Sequence, residues 1–119
     1  MTDKVLVALS CGTDNPNRTT RALQMAVMAH KLGKKTTVFL LDEGVYIARK
    51  GIADNLRSAT GDSADDHLTY LKEFEVPILV CTPCAAIRQI FPDDLIENAS
   101  MGTADIFINL CCESAVISF

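Results

Sequence analysis

Residues 4–41 dictate the fold class. Residues 4–10 (KVLVALS) form an aliphatic, β-branched run closed by Cys11 and Gly12, the pattern of a strand buried on both faces. Residues 13–17 are polar and offer Asp and Asn caps for a helix. Over residues 18–32, apolar side chains fall at Ala22, Met25, Ala26, Ala29 and Leu32. That is helical spacing, and Gly33 stands where a C-terminal cap belongs. Residues 36–41 (TTVFLL) are a second strand. Strand, helix and strand with joints this short make a parallel pair, because parallel strands need a crossover between them.

The rest of the chain continues the theme. Asp42-Glu43-Gly44 is a turn, with Gly44 expected to take a positive φ. Residues 45–50 suit a short helix, and residues 51–61 are polar and irregular. Ser63 and Asp66 are placed like a capping pair for a helix that turns Leu68 and Leu71 inward. Residues 76–80 are a third strand with Pro77 at its start, where a missing N–H is tolerated. Residues 84–90 read as a helix. So do residues 101–113, with Ala104, Phe107, Ile108 and Cys111 on one side, and residues 114–119 (SAVISF) are a last strand. The expected fold is a single α/β layered domain over residues 1–119, a mainly parallel sheet flanked by helices.

Charge and composition narrow the function classes. The net charge is −4 and the basic residues never cluster beyond pairs such as Lys34-Lys35, which argues against nucleic acid as a partner. No apolar run approaches the roughly 20 residues of a membrane helix. The opening MTDKVLVALSCG lacks the order of a secretory signal, so a cytoplasmic protein is expected. A 49% hydrophobic content is rich for a chain this short and points to a homo-oligomer that covers the surplus. The five cysteines, Cys11, Cys81, Cys84, Cys111 and Cys112, are an odd number and form no disulfide framework in a reducing compartment.

Ligands and reactive groups of a parallel sheet gather beyond the carboxyl ends of its strands. Three loops reach that rim, carrying Cys11-Gly12-Thr13, Asp42-Glu43-Gly44 and Cys81-Thr82-Pro83-Cys84. Cys81 lies where a strand enters a helix, and free N–H groups there favour a thiolate. Arg88, about a turn beyond Cys84, suits either positive support of a thiolate or a surface salt bridge. Cys81 is therefore the candidate nucleophile. Cys84 is a candidate second thiol, able to resolve a persulfide on Cys81 into a disulfide with release of sulfide. Cys11, Gly12, Glu43 and Gly44 are possible rim or pocket residues, with Cys11 better suited to packing and Glu43 better suited to a solvated turn than to orienting a thiol or binding a partner. Cys111 and Cys112 read as core or interface filler, and His67 as a surface helix residue.

No metal and no cofactor are expected. Zinc wants about four ligands, usually in paired clusters, and one Cys-x-x-Cys is present. The same motif also suits thiol–disulfide exchange, although the chain after Cys84 is too short for the sheet half that completes a thioredoxin-like fold.

Taken in order, these pieces resemble the DsrE/DsrF and TusD sulfur-relay proteins, and especially their YchN-like branch. The matching features are Cys11-Gly12-Thr13 after the first strand, VFLLDEGVY at 38–46, VPILVC at 76–81 followed by Arg88, and MGTADIFINLCCESAVISF at 101–119. The resemblance implies compact α/β subunits assembled as a homotrimer or homohexamer. It also implies a cysteine after the third strand, matched by Cys81, that carries persulfide sulfur between donor and acceptor proteins. Cys84 matches a second cysteine of YchN-like members. Gln89 departs from the pattern, standing where many members have glycine, and predicts a differently shaped loop. The function expected is an oligomeric sulfur carrier or sulfurtransferase-like protein. Its alternatives are a non-enzymatic binding module of the same fold, with structural cysteines, and a thiol–disulfide redox protein using both cysteines of the motif.

Overall fold

A computed structural model of the chain describes residues 2–119. Its core is a five-stranded sheet in the order β4-β3-β2-β1-β5, made of β1 (Lys4–Leu9), β2 (Lys35–Leu40), β3 (Ile78–Cys81), β4 (Ala99–Gly102) and β5 (Ala115–Ser118). Every neighbouring pair is parallel. The helices are α1 (Pro16–Lys31), α2 (Ala64–Glu73), α3 (Thr82–Ile87) and α4 (Ala104–Glu113), with 3-10 turns at Asp42–Ala48 and Pro92–Asp94.

Alternation along the strands sorts the two faces. Val7 and Leu9, Val38 and Leu40, and Ile78 and Val80 pack in one buried cluster with Ala22, Leu23, Ala26 and Val27 of α1 and Ala64, Leu68 and Leu71 of α2. The inward stripe of α1 thus runs through Leu23 and Val27, and Leu32, expected within it, is 68% exposed. Leu6, Ala8 and Phe39 point to the other face and are also buried. There the Phe39 and Phe107 rings meet in a tilted pair, centroids 4.7 Å apart, a favourable aromatic geometry.

Local signals fix most helix ends. The Asn15 side chain accepts from the Arg18 N–H at 3.2 Å. At the other end of α1, Gly33 takes φ +79 while the Lys34 N–H reaches back to the Ala29 carbonyl at 3.0 Å, closing the helix in the way a left-handed glycine allows. The Ser63 hydroxyl accepts from the Asp66 N–H at 3.2 Å. His67 donates or accepts through Nε2 with Asp62 at 2.8 Å, tying the loop before α2 to that helix.

Two expectations give way. Residues 101–113 are not one helix: Ala99–Gly102 pairs with β3 as an edge strand, and α4 starts only at Ala104. The inward side of α4 carries Phe107, Leu110 and Cys111, all half-buried, whereas Ala104 is exposed and Ile108 is 57% exposed. No residue of α4 is fully buried and all four of β5 are exposed. One ten-residue helix, about 15 Å long, leaves much of a five-stranded face open.

Gly44 also has a different reason to be glycine. It does not take a positive φ; Asp42 does, at +49. A Cβ on Gly44 would run into the carbonyl oxygen of Leu9 and lie 3.3 Å from that of Cys11, and a Cβ on Gly12 would lie 2.5 Å from the Glu43 carbonyl oxygen. The two loops beyond β1 and β2 therefore touch backbone to backbone. Gly44→Ala forces them apart, and a loss of about 1–3 kcal/mol, as overpacking of a tight site costs, is expected in a urea unfolding curve.

Candidate functional site at the carboxyl rim

Beyond the carboxyl ends of β1, β2 and β3 the structure brings together the 3-10 turn after β2 and the start of α3. Cys81 is both the last residue of β3 and the N-cap of α3. Its neighbour Thr82 donates from its hydroxyl to the Gly102 carbonyl at 2.8 Å, which fixes the start of α3 to the end of β4. Cys84 lies one turn into α3, with its Sγ 3.9 Å from Asp42 Oδ1, a long S–H···O contact. Both thiols are free and half-buried.

Arg88 is present but committed elsewhere. Its Nη1 donates to the Cys84 carbonyl at 3.0 Å, and its Nε and Nη2 clamp both oxygens of the Glu43 carboxylate. A forked guanidinium–carboxylate pair is geometrically specific, and here it joins the β2 loop to the end of α3. It also neutralises the cation that the sequence offered to a thiolate.

The ionisation of Cys81 runs opposite to the sequence expectation. Burial pushes its thiol up, and so does the neighbouring Cys84 side chain. The Cys84 backbone N–H pulls it down, as the start of a helix should, but Cys84 and the Asp42 carboxylate add to the upward side. A six-residue helix supplies little dipole against burial and nearby negative charge.

The remaining candidates separate clearly. Cys11 is buried, not a rim thiol: it belongs to the main core cluster, and the Thr19 hydroxyl lies 3.2 Å from its carbonyl oxygen and 3.6 Å from its Sγ. Gly12 and Gly44 act through backbone contact alone. Glu43 acts as the partner of Arg88. Gln89 adopts φ +57, the left-handed conformation that a glycine would take without strain. Cys111 is half-buried and Cys112 exposed on α4, away from the rim.

Asp42 is the residue that the sequence did not single out. The one available signal was its position beside Glu43, and adjacency could not say which of the two acids would face the thiols. Among the described residues, no three His, Cys, Asp or Glu side chains converge as a metal site requires. A concavity of about 530 Å3, lined by Lys72, Glu75, Pro77, Glu97 and Asn98, lies at the opposite, amino ends of β3 and β4. It contains no thiol, whereas the rim holds two.

A parallel α/β layer with a thiol pair where β3 enters α3 defines the class of protein. The DsrE/DsrF-like family model matches residues 3–119, and the chain belongs to that family. It is similar to the uncharacterized protein MK0008 of Methanopyrus kandleri, 26% identical over 98% of this chain and 93% of that one. It is also similar to the uncharacterized protein MJ0989 of Methanocaldococcus jannaschii, 32% identical over 78% of each. A second protein of that organism, the uncharacterized MJ0760, is longer: this chain spans 39% of it at 28% identity. Among solved structures, the ychN protein from E. coli has a TM-score of 0.80 at 20% identity with both chains fully covered. MTH1491 of Methanobacterium thermoautotrophicum, a protein of unknown function, has a TM-score of 0.67 at 15% identity over 98% of each chain. These two likenesses establish the fold, a parallel sheet flanked by helices.

The raised Cys81 thiol has a measurable consequence. Its thiolate is scarcer at pH 7 than that of an ordinary cysteine, so the alkylation rate of Cys81 should climb with a midpoint above the free-cysteine value of about 8.5. Peptide mass spectrometry after timed iodoacetamide pulses measures this; a midpoint at or below 7 contradicts it.

Proposed function

We propose that this chain is an oligomeric sulfur carrier of the cytoplasm, with Cys81 as the residue that holds the sulfur. The thiolate of Cys81 attacks the outer sulfur of a donor persulfide, R–S–SH. A new S–S bond forms on Cys81, the bond to R–S breaks, and R–S⁻ leaves with the electron pair. A partner thiolate then repeats the attack on the Cys81 persulfide and carries the sulfur away. The observation that carries this reading is the place of Cys81: half-buried at the carboxyl rim, beside a second thiol, in a fold whose family includes sulfur-relay proteins. A raised thiol suits a carrier, because its thiolate is scarce towards bystander electrophiles yet intrinsically a stronger nucleophile once formed.

The same raised thiol also favours a second reading, a non-enzymatic oligomeric module with packed, unreactive cysteines. Intact mass separates the two. Reduced protein incubated with polysulfide should gain one sulfur atom, and Cys81→Ser should abolish the gain. No adduct, with thiols that alkylate only after denaturation, supports the module. Loss of two hydrogens on mild oxidation without any sulfur gain, requiring both Cys81 and Cys84, supports disulfide exchange instead.

Oligomerisation draws support from apolar side chains that a single subunit leaves uncovered. On α4 and β5 these are Ile106, Ile108, Val116 and Ile117. Ile87, 80% exposed at the end of α3, and Phe91 just beyond it are further apolar side chains that a second copy or a relay partner would cover. Sedimentation should give a homotrimer or homohexamer of the 12.9 kDa chain. Ile108→Glu combined with Val116→Glu should shift it to the monomer, because burying unpaired charge in an apolar interface is costly.

A further inference from the structure

Asp42 holds a backbone conformation that non-glycine residues rarely adopt, φ +49. Asp and Asn tolerate this region better than other side chains, but it still costs energy and needs surroundings that enforce it. Here those surroundings are the Gly12–Gly44 contact and the Gly44 N–H donating to the Leu41 carbonyl at 2.8 Å. The result is a carboxylate aimed at the dithiol. Among the described residues, the hydrogen-bond contact of the Asp42 side chain is with the Cys84 thiol. Cys84 otherwise faces Cys81 at the end of β3 and the Arg88 guanidinium on its own helix, and that guanidinium is held by Glu43, with Tyr46 close enough to act on its charge. A thiolate on Cys84 would thus sit against a carboxylate with the nearby cation already paired.

We propose that Asp42 is a positioning residue that protects sulfur held on Cys81: by accepting the Cys84 S–H, it keeps this neighbouring thiol from discharging the persulfide. This rests on the sulfur-carrier reading above. The reaction prevented is internal and balanced. Cys84 sulfur attacks the inner sulfur of Cys81–S–S⁻, a Cys81–Cys84 disulfide forms, and the bond to the outer sulfur breaks. The outer sulfur leaves with the electron pair, takes the Cys84 proton and departs as HS⁻. The sulfane sulfur is reduced to sulfide while the two cysteine sulfurs are oxidised, with no outside oxidant. A carrier with two adjacent cysteines needs such a restraint if its cargo is to survive until a partner arrives.

Asp42→Asn removes the charge and keeps a side chain that tolerates the left-handed backbone; Asp42→Gly is the second variant if the first melts early. The first measurement needs no sulfur. In a Cys81→Ser background, alkylation of Cys84 at pH 7 should accelerate at least about two-fold in Asp42→Asn. The variant replaces the carboxylate that accepts the Cys84 S–H at 3.9 Å with a neutral amide. An unchanged rate overturns the proposal. The second measurement follows protein with both cysteines after polysulfide loading. Wild type should keep its extra sulfur, whereas Asp42→Asn should release sulfide at least two-fold faster and end two hydrogens lighter. Adding Cys84→Ser should restore retention. Equal release from wild type and Asp42→Asn, or fast release that persists without Cys84, overturns the protective role. Wild type that takes up no sulfur overturns the carrier reading and the protective role with it, and the alkylation result distinguishes that outcome from a failure of the Asp42–Cys84 contact.

Discussion

The rim depends on one contact, the crossing of two backbones at Gly12 and Gly44. The ladder between β1 and β2 continues past both strands, with the Leu41 N–H donating to the Leu9 carbonyl at 2.9 Å. The chain beyond then turns so tightly that Gly44 lies on that same carbonyl. No side chain fits in the gap. Because the two loops are locked together there, the residues just before Gly44 have little freedom. Asp42 is bent into the left-handed region and Glu43 is presented to Arg88. Both acids reach α3 through a constraint made by glycines that contain no functional group.

The electrostatics of the thiol pair follow from this arrangement. A strand running into a helix is a common way to ionise a cysteine, and the Cys84 N–H makes that contribution here. It is outweighed because α3 is short, Cys81 is partly buried, a second thiol and a carboxylate are close, and the one nearby guanidinium is spent on Glu43. In chemical terms Cys81 is a quiet thiol.

Much of the architecture was legible in residue order. β1, α1 and β2 announced themselves through unbroken apolar runs and helical spacing, and the rim position of Cys81 followed from the parallel arrangement alone. Where the reading failed, tertiary contact outweighed a local pattern. β4 is four residues long, ASMG, with no β-branched side chain; it is a strand because β3 offers it an edge. Ile108 looked inward by apolarity, yet the aromatic pairing of Phe107 with Phe39 sets the rotation of α4 and turns Ile108 out. Glycine at 44 was correctly singled out, but steric exclusion, not torsional freedom, is the reason. The sign of the Cys81 shift was not legible, since its largest cause is burial, which is no property of the Cys-x-x-Cys motif; the second thiol of the motif and then Asp42 add to it. Arg88 was visible, but its being claimed by Glu43, 45 positions away, was not.

The pairing of β1 with β5 sets the order in which this molecule can be completed. Val5 lies opposite Ala115 and Ala8 opposite Ser118, so the strand at the start of the fold is flanked on one side by the last strand described. Contacts between such distant parts of a chain form slowly, because the entropy of closing the loop must be overcome first. On the ribosome, β1 can acquire α1 and β2 early, but one of its edges stays unsatisfied until β5 has emerged. Throughout that interval it presents an apolar, unpaired edge that a chaperone or a neighbouring nascent chain could occupy.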